Sequence, residues 1–433
     1  MTYDEAIEKI HSLLAFGSRP GLDRMRILLD RLDNPQDKLK YIHVAGTNGK
    51  GSVCAMLSSV LVSAGYKTGL FISPYITDFR ERIQINNSMI SKDELVSAVE
   101  NTFPVIESLH DEGTIITEFE YVNALQFYIH AKQKCDIVVL ETGMGGLLDC
   151  TNTIKAPLCS VITVIGLDHT AVLGSTEEEI THQKCGILKE YSMAVTSAQT
   201  PAVMQIIEQY ARKLKIPLAK SEGVDISAVE RTLTGSRFNY NGIQINLSLA
   251  GAHQIENAKT ALAAIDLLRL NGYLDISDFQ IQQGFANAVN PARLELLGED
   301  PIVLLDGAHN PNGIEALKKS IDEFLKDKYI IGIIGMLADK DTDNSIKLIK
   351  DVFDCVYTVP VKNPRAMSPS LLMKKCAKYI DETVVFESAQ HAFDVAYQKA
   401  LQSDCAVVIC GSLYLAGEIR PYIMNTVKDC NKK

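Results

Sequence analysis

Tyr41-Ile42-His43-Val44-Ala45-Gly46-Thr47-Asn48-Gly49-Lys50-Gly51-Ser52 runs from an apolar segment into a glycine-rich turn. The run before Gly46 reads as a buried strand, and Val53 to Ala64 as a helix closed by Gly65. A turn from strand into helix leaves free N–H groups at the helix N-terminus, where the macrodipole adds roughly half a positive charge. Glycines let that backbone wrap an anion, and Lys50 adds a full charge. Gly46, Thr47, Asn48, Gly49, Lys50, Gly51 and Ser52 therefore read as a phosphate cradle. The spacing is not that of the common P-loop. Val44 stands where its first glycine belongs, and the hydroxyl arrives one residue late, at Ser52. A plain glycine turn is the bland alternative.

On either side of this stretch, apolar runs alternate with helical stretches. Ile42–Ala45, Gly69–Ser73, Ile137–Glu141, Ser160–Ile165 and Ala194–Ser197 are continuous rather than alternating, as strands of a parallel sheet buried on both faces require. Arg231–Thr234, Ser236–Tyr240 and Ile243–Leu247 read as a small antiparallel sheet turning at Asn241-Gly242. After a pause at Gly298-Glu299-Asp300-Pro301 a second set follows: Ile302–Leu305, Ile330–Gly335, Cys355–Val359, Thr383–Phe386 and Ala406–Cys410. The expected fold is α/β. A P-loop-type, mostly parallel sheet flanked by helices with the appended small sheet fills residues 1–296, 297–301 form a linker, and a Rossmann-like domain fills 302–433.

At 433 residues the chain exceeds one ordinary core. A net charge of −10 argues against a nucleic-acid surface. No apolar run approaches the roughly 20 residues of a membrane span, and the N-terminus lacks the pattern of a signal peptide. The ten cysteines are scattered without a CxxC pair, as in a reduced cytoplasmic protein.

Ligands of open α/β sheets collect at the carboxyl ends of strands. Three polar groups are expected there in the first domain: Ser73, Glu141 before Thr142-Gly143-Met144-Gly145-Gly146, and His169. With phosphate oxygens and water they suit a divalent metal; oxygen ligands favour Mg²⁺, and the histidine is the odd member. Lys184, by spacing alone, is a solvated helix lysine. In the second domain a strand ends in Asp306-Gly307-Ala308-His309-Asn310-Pro311, and Arg293 precedes the linker within reach of phosphates. Gly251–Ala258 opens a long helix whose amides suit an adenine edge.

Together these segments resemble the folylpolyglutamate synthase family of the Mur ligase superfamily, from about residue 38 to about 420. The resemblance rests on the cradle, Ser73-Pro74-Tyr75 to Glu81-Arg82-Ile83, Glu141–Gly146, Gly166–Thr170, His253-Gln254, Asn257-Ala258 and Arg293-Leu294-Glu295. It continues through Asp306–Pro311, Met336–Asp341, Asn363–Ala366 and Gly411–Leu415. It implies an ATP-dependent acid–amino-acid ligase that adds L-glutamate to the γ-carboxylate of folates through an acyl phosphate. It also implies ATP and two Mg²⁺ ions as cofactors, no nucleic-acid or membrane partner, and a cytoplasmic monomer. Carried over, Lys50 and the cradle hold phosphates, Ser73, Glu141 and His169 surround the metal, and Lys184 matches a carbamylated lysine. Asn257 meets adenine, Arg293 the phosphates, Asp306 the ribose and His309 the transferred phosphoryl group; the Ser73–Arg82 loop borders the pterin. The catalytic set is thus Lys50, Glu141, His169, Lys184 and His309. The chain departs from the pattern at Leu147, where many relatives carry arginine, and at Gln183, where an acid is common. Dihydrofolate synthase activity stays open on that account. The alternatives are a cell-wall Mur ligase, a non-catalytic nucleotide-binding regulator, and a P-loop kinase, which the cradle spacing disfavours.

Overall fold

A computed structural model describes residues 1–17 and 21–430, and among them three sheets form. The first contains β1 (Tyr41–Ala45), β2 (Thr68–Phe71), β3 (Ile83–Ile85), β4 (Ser88–Met89), β5 (Ile137–Glu141), β6 (Cys159–Ile162), β7 (Met193–Thr196) and β8 (Leu218–Lys220). Its spatial order is β4-β3-β2-β5-β1-β6-β7-β8. The six strands from β2 to β8 in that order are parallel, and β3 and β4 fold back antiparallel at one edge. Alternate residues of β1 serve opposite cores. Ile42 and Val44 pack with the helices Lys50–Ser63 and Ala252–Leu270, while Tyr41 packs with Lys92–Asp111 and Glu118–Lys132. Burial on both faces is why these strands read as unbroken apolar runs. Strand order reverses at β1, so the loop leaving it lies in the crevice where such sheets bind ligands.

The second sheet, β9 (Ile226–Thr232), β10 (Gly235–Tyr240) and β11 (Ile243–Leu247), is an antiparallel meander. Asn241 and Gly242 both have positive φ, 47° and 81°, as a two-residue hairpin demands. The expected first strand, 231–234, is misplaced: β9 begins at Ile226 and the chain turns at 233–234. Nearly all of β9 is exposed, so no apolar alternation marks it.

The third sheet holds β12 (Glu295–Glu299), β13 (Ile302–Leu305), β14 (Tyr329–Ile334), β15 (Cys355–Thr358), β16 (Glu382–Val385) and β17 (Cys405–Cys410), ordered β12-β13-β17-β14-β15-β16. All neighbours are parallel except β12 and β13. Residues 297–301, expected as a linker, are instead the end of β12 and the turn into β13. The residues that suggested a break are a register shift between Leu296 and Gly298 and a tight hairpin corner. The chain crosses between the sheets earlier, in the segment between the helix Asp278–Ala286 and β12.

Candidate active site

The cradle is built by its neighbours as much as by its own glycines. Gly49 caps the helix Lys50–Ser63 with φ 86°, so the helix starts at Lys50, earlier than the apolar pattern showed. A Cβ on Gly49 would lie 2.3 Å from Oδ1 of Asn257, and one on Gly46 would lie 1.7 Å from Oγ1 of Thr163. Thr163 Oγ1 donates to the Asn48 carbonyl at 2.8 Å. Thr47 Oγ1 donates to the Gly166 carbonyl (2.9 Å) and accepts from its N–H (3.1 Å). These bonds end β6 at Ile162, short of the expected 165, and bend residues 163–169 around the cradle. Lys50 Nζ donates to the carbonyls of Gly46 (3.1 Å) and Thr47 (3.3 Å).

A cavity of about 950 Å³ opens above the cradle, between the first and third sheets. Thr47, Asn48, Gly49, Lys50, Gly51, Ser52, Ser73, Glu141, His169, Asn257, Arg293, Asp306 and His309 all line it. Gly46 and Lys184 lie behind that wall. Glu141, 5% exposed at the end of β5, accepts from the Ser73 N–H at 3.1 Å. Burial raises its pKa, with Lys50 and that N–H opposing. His169 caps a short helix, Thr170–Leu173, in left-handed backbone (φ 51°). Partial burial of the ring lowers its pKa, with Asp168 opposing. Among the described residues no three His, Cys, Asp or Glu side chains form a metal cage. Ser73, Glu141 and His169 all border the cavity, and a hydroxyl, a carboxylate and an imidazole are donors that a divalent ion can use when phosphate and water complete its shell. The Asn257 amide, expected at adenine, packs against the cradle at Gly49 and donates to Gln254 Oε1 (2.9 Å).

Lys184 is not the solvated lysine its spacing indicated. On the helix Glu177–Cys185 it is 3% exposed, and its Nζ donates to the Gly46 carbonyl at 2.7 Å. Burial and the charge of Lys50 lower its pKa to about 7. The amine beneath the cradle thus gives up its proton far more readily than a solvated lysine does.

From the third sheet, Asp306 at the end of β13 accepts from Leu294 N (2.6 Å) and Ala308 N (2.7 Å). Both carboxylate oxygens thus brace the backbone that carries Arg293 and His309. His309 Nδ1 is 2.9 Å from the Gly307 carbonyl, which can only accept, so the neutral ring has a bare Nε2. Burial and Lys340 drive its pKa down to about 4.

Two arrangements escaped the sequence reading. Lys340 donates to Asp168 Oδ1 at 2.8 Å, and Asn310 reaches Oδ2 at 3.3 Å, joining the two sheets across the cavity. Burial would raise the Asp168 pKa, but the Lys340 bond and charge hold it well below the usual range. Both residues stand in quoted motifs, yet nothing local pairs them. The second is a buried chain behind β5. Thr151 Oγ1 donates to Asp149 Oδ1 (2.6 Å), so His43 Nε2 must donate to Thr151 at 2.8 Å. Asp149 Oδ2 in turn accepts from Met144 N (2.8 Å), fixing the glycine loop along the cavity wall. An apolar run hides such a histidine.

Residues 44–265 match the Mur ligase middle domain, and residues 292–413 match the glutamate ligase domain of Mur ligases. The chain is 36% identical over 433 residues to a dihydrofolate synthase/folylpolyglutamate synthase of Bacillus subtilis, covering 96% of this chain and 98% of that one. The structure of Mycobacterium tuberculosis folylpolyglutamate synthase complexed with ADP and AMPPCP superposes with a TM-score of 0.90 at 29% identity, covering 97% and 99% of the two chains. An Escherichia coli FolC structure, in complex with DHPP and ADP, gives 0.85 at 30% identity over 100% and 99%.

Proposed function

The chain belongs to the folylpolyglutamate/dihydrofolate synthase family of the Mur ligase superfamily, and from that premise we propose that it is an ATP-dependent ligase joining L-glutamate to the γ-carboxylate of a folate. One observation carries the reading: the cradle with Lys50, the buried Glu141, His309 and Lys340 all border one cavity. A phosphate donor and a carboxylate acceptor can meet there under charges from both sheets.

A carboxylate is a poor electrophile, and phosphorylation gives it a leaving group. A γ-carboxylate oxygen of the folate attacks the γ-phosphorus of ATP, the bond to the β-phosphate oxygen breaks, and ADP departs. The glutamate amine then attacks the acyl carbon; the C–O bond to phosphate breaks and the amine loses its proton. Lys50, the N–H groups of the cradle and Arg293 hold and neutralise phosphate charge, which is where catalysis of such transfers lies. Ser73, Glu141 and His169 would hold magnesium, and a bound ion supplies further positive charge to the phosphate oxygens. If the Lys184 amine added to carbon dioxide and released a proton, the resulting carbamate would offer a second ion an anionic ligand beside the phosphates. His309, neutral with a bare Nε2, is fit to accept a hydrogen bond beside the transferred group.

The nine cysteines whose side chains are described are free thiols, which supports a reducing compartment such as the cytoplasm. No described helix is long and apolar enough to cross a membrane. We propose the monomer as the functional unit, since residues of a single chain bring Lys50, Glu141, Arg293 and His309 to one cavity.

Release of ADP from purified protein, with ATP, glutamate and each acceptor in turn, tests the reading. Tetrahydrofolate is expected to support glutamate-dependent release. A response to a nucleotide-sugar peptide alone would turn the assignment to a cell-wall ligase, and the dihydropteroate arm decides bifunctionality.

A further inference from the structure

The crossing segment from 287 to 294 is tied to the site at both ends. At its start Asn290 Nδ2 donates to the Ser52 hydroxyl at 3.1 Å, and its carboxamide covers Gly51, where a Cβ would lie 3.5 Å from Nδ2. At its end Leu294 N donates to Asp306, and the Ala292 carbonyl accepts from Gly307 N at 2.8 Å. Between these ties Ala292 and Leu294 both adopt left-handed backbone, φ 55° and 47°. Side chains with a Cβ disfavour that region, so the surrounding bonds must hold it. The two strained residues bracket Arg293, which lines the cavity.

A serine hydroxyl has one proton and two lone pairs. The Asn290 N–H occupies a lone pair of Ser52 and leaves the proton free to point at an anion in the cradle. We propose that Asn290 is a positioning residue: it fixes the Ser52 hydroxyl as a donor to nucleotide phosphate and ties phosphate seating to the strap that carries Arg293. This rests on the cradle's being the ATP site. Aspartate at 290 has nearly the same shape but inverts the bond. It would accept the Ser52 proton and set a negative charge beside the phosphates.

Calorimetric titration of ADP with magnesium into the full-length wild type, Asn290→Ala and Asn290→Asp distinguishes positioning from packing. Alanine is expected to weaken binding roughly tenfold, and aspartate about tenfold further, the sizes typical of a lost and an inverted bond to a charged group. Melting without nucleotide should shift little in either variant. If Asn290 only fills space, the near-isosteric aspartate will bind better than alanine; that order, or equal affinity in all three proteins, overturns the proposal. Should Asn290→Asp not fold, a double-mutant cycle of Asn290→Ala with Ser52→Ala decides the matter: losses below additive support the coupling, and additive losses overturn it. A wild type that binds no ADP refutes the ATP reading itself.

Discussion

Lys50 and Glu141 stand on opposite sides of the same charge problem. Lys50→Ala removes the full charge at the cradle, and Glu141→Ala the carboxylate proposed to hold magnesium. Each is expected to lower glutamate-dependent ADP release by about 10²–10³-fold, the usual loss for one electrostatic contributor to a transfer. Each should also leave the melting temperature close to wild type, and ADP release with melting curves reads both. His43 shows a different kind of dependence. Its burial, with Lys189 adding, lowers its pKa to about 3. The unfolded chain takes up this proton near pH 6.5 and the folded chain does not. Its contribution to stability is therefore full above about pH 6.5 and is lost progressively as pH falls toward 3. His43→Gln can keep a donor to Thr151 without a titrating ring. Urea midpoints of the variant should fall less than those of the wild type between pH 6.5 and 4.5; parallel curves would show that His43 titrates normally.

At the scale of the element, the cradle is a loop whose shape is dictated from outside. Gly46 has no room for a methyl group because Thr163 Oγ1 stands 1.7 Å from the position it would take. Gly46→Ala must therefore push the Thr163 side chain or the loop aside, and with the loop go the carbonyls that anchor Lys50 and Lys184. We expect the KM for ATP to rise by about tenfold or more, since a shift near one ångström degrades positioned chemistry strongly, while the KM for glutamate changes little. Steady-state kinetics with each substrate varied measures this. The cradle itself was legible because a strand–turn–helix signal is local. The continuous apolar strands were legible for the same reason, whereas β9 was not, since its side chains face solvent and obey no pattern.

Across the whole molecule, the proposed site depends on two sheets meeting over one cavity. The Asp168–Lys340 pair is nearly buried, with side chains 14% and 12% exposed, and it joins loops from both sheets. Removing one partner of a buried pair leaves the other charge unsatisfied, at roughly 3 kcal/mol or more. Lys340→Met should therefore loosen the closed arrangement, lower kcat by about tenfold or more, and enlarge the radius of gyration in solution scattering. A variant with normal kcat and unchanged scattering would show that closure does not rely on this pair. Gly417 is a second contact between the halves. A Cβ there would lie 1.8 Å from the Ile76 carbonyl, so the helix Leu413–Cys430 presses directly on the loop expected to border the pterin.

Local order in the chain was enough to determine the parallel α/β architecture, the cradle, the strand ends bearing Ser73, Glu141 and Asp306, and the family. Each of these is written in neighbouring residues, through hydrophobic period, turn chemistry or a short motif. The state of Lys184, the partner of Asp168, the role of His43 and the tie of Asn290 to Ser52 were decided only by tertiary structure. The partners in these bonds are 138, 172, 108 and 238 residues apart. A lysine's charge, a histidine's proton and a hydroxyl's direction depend on burial and on the group opposite. Neither exists until the chain has closed those distances.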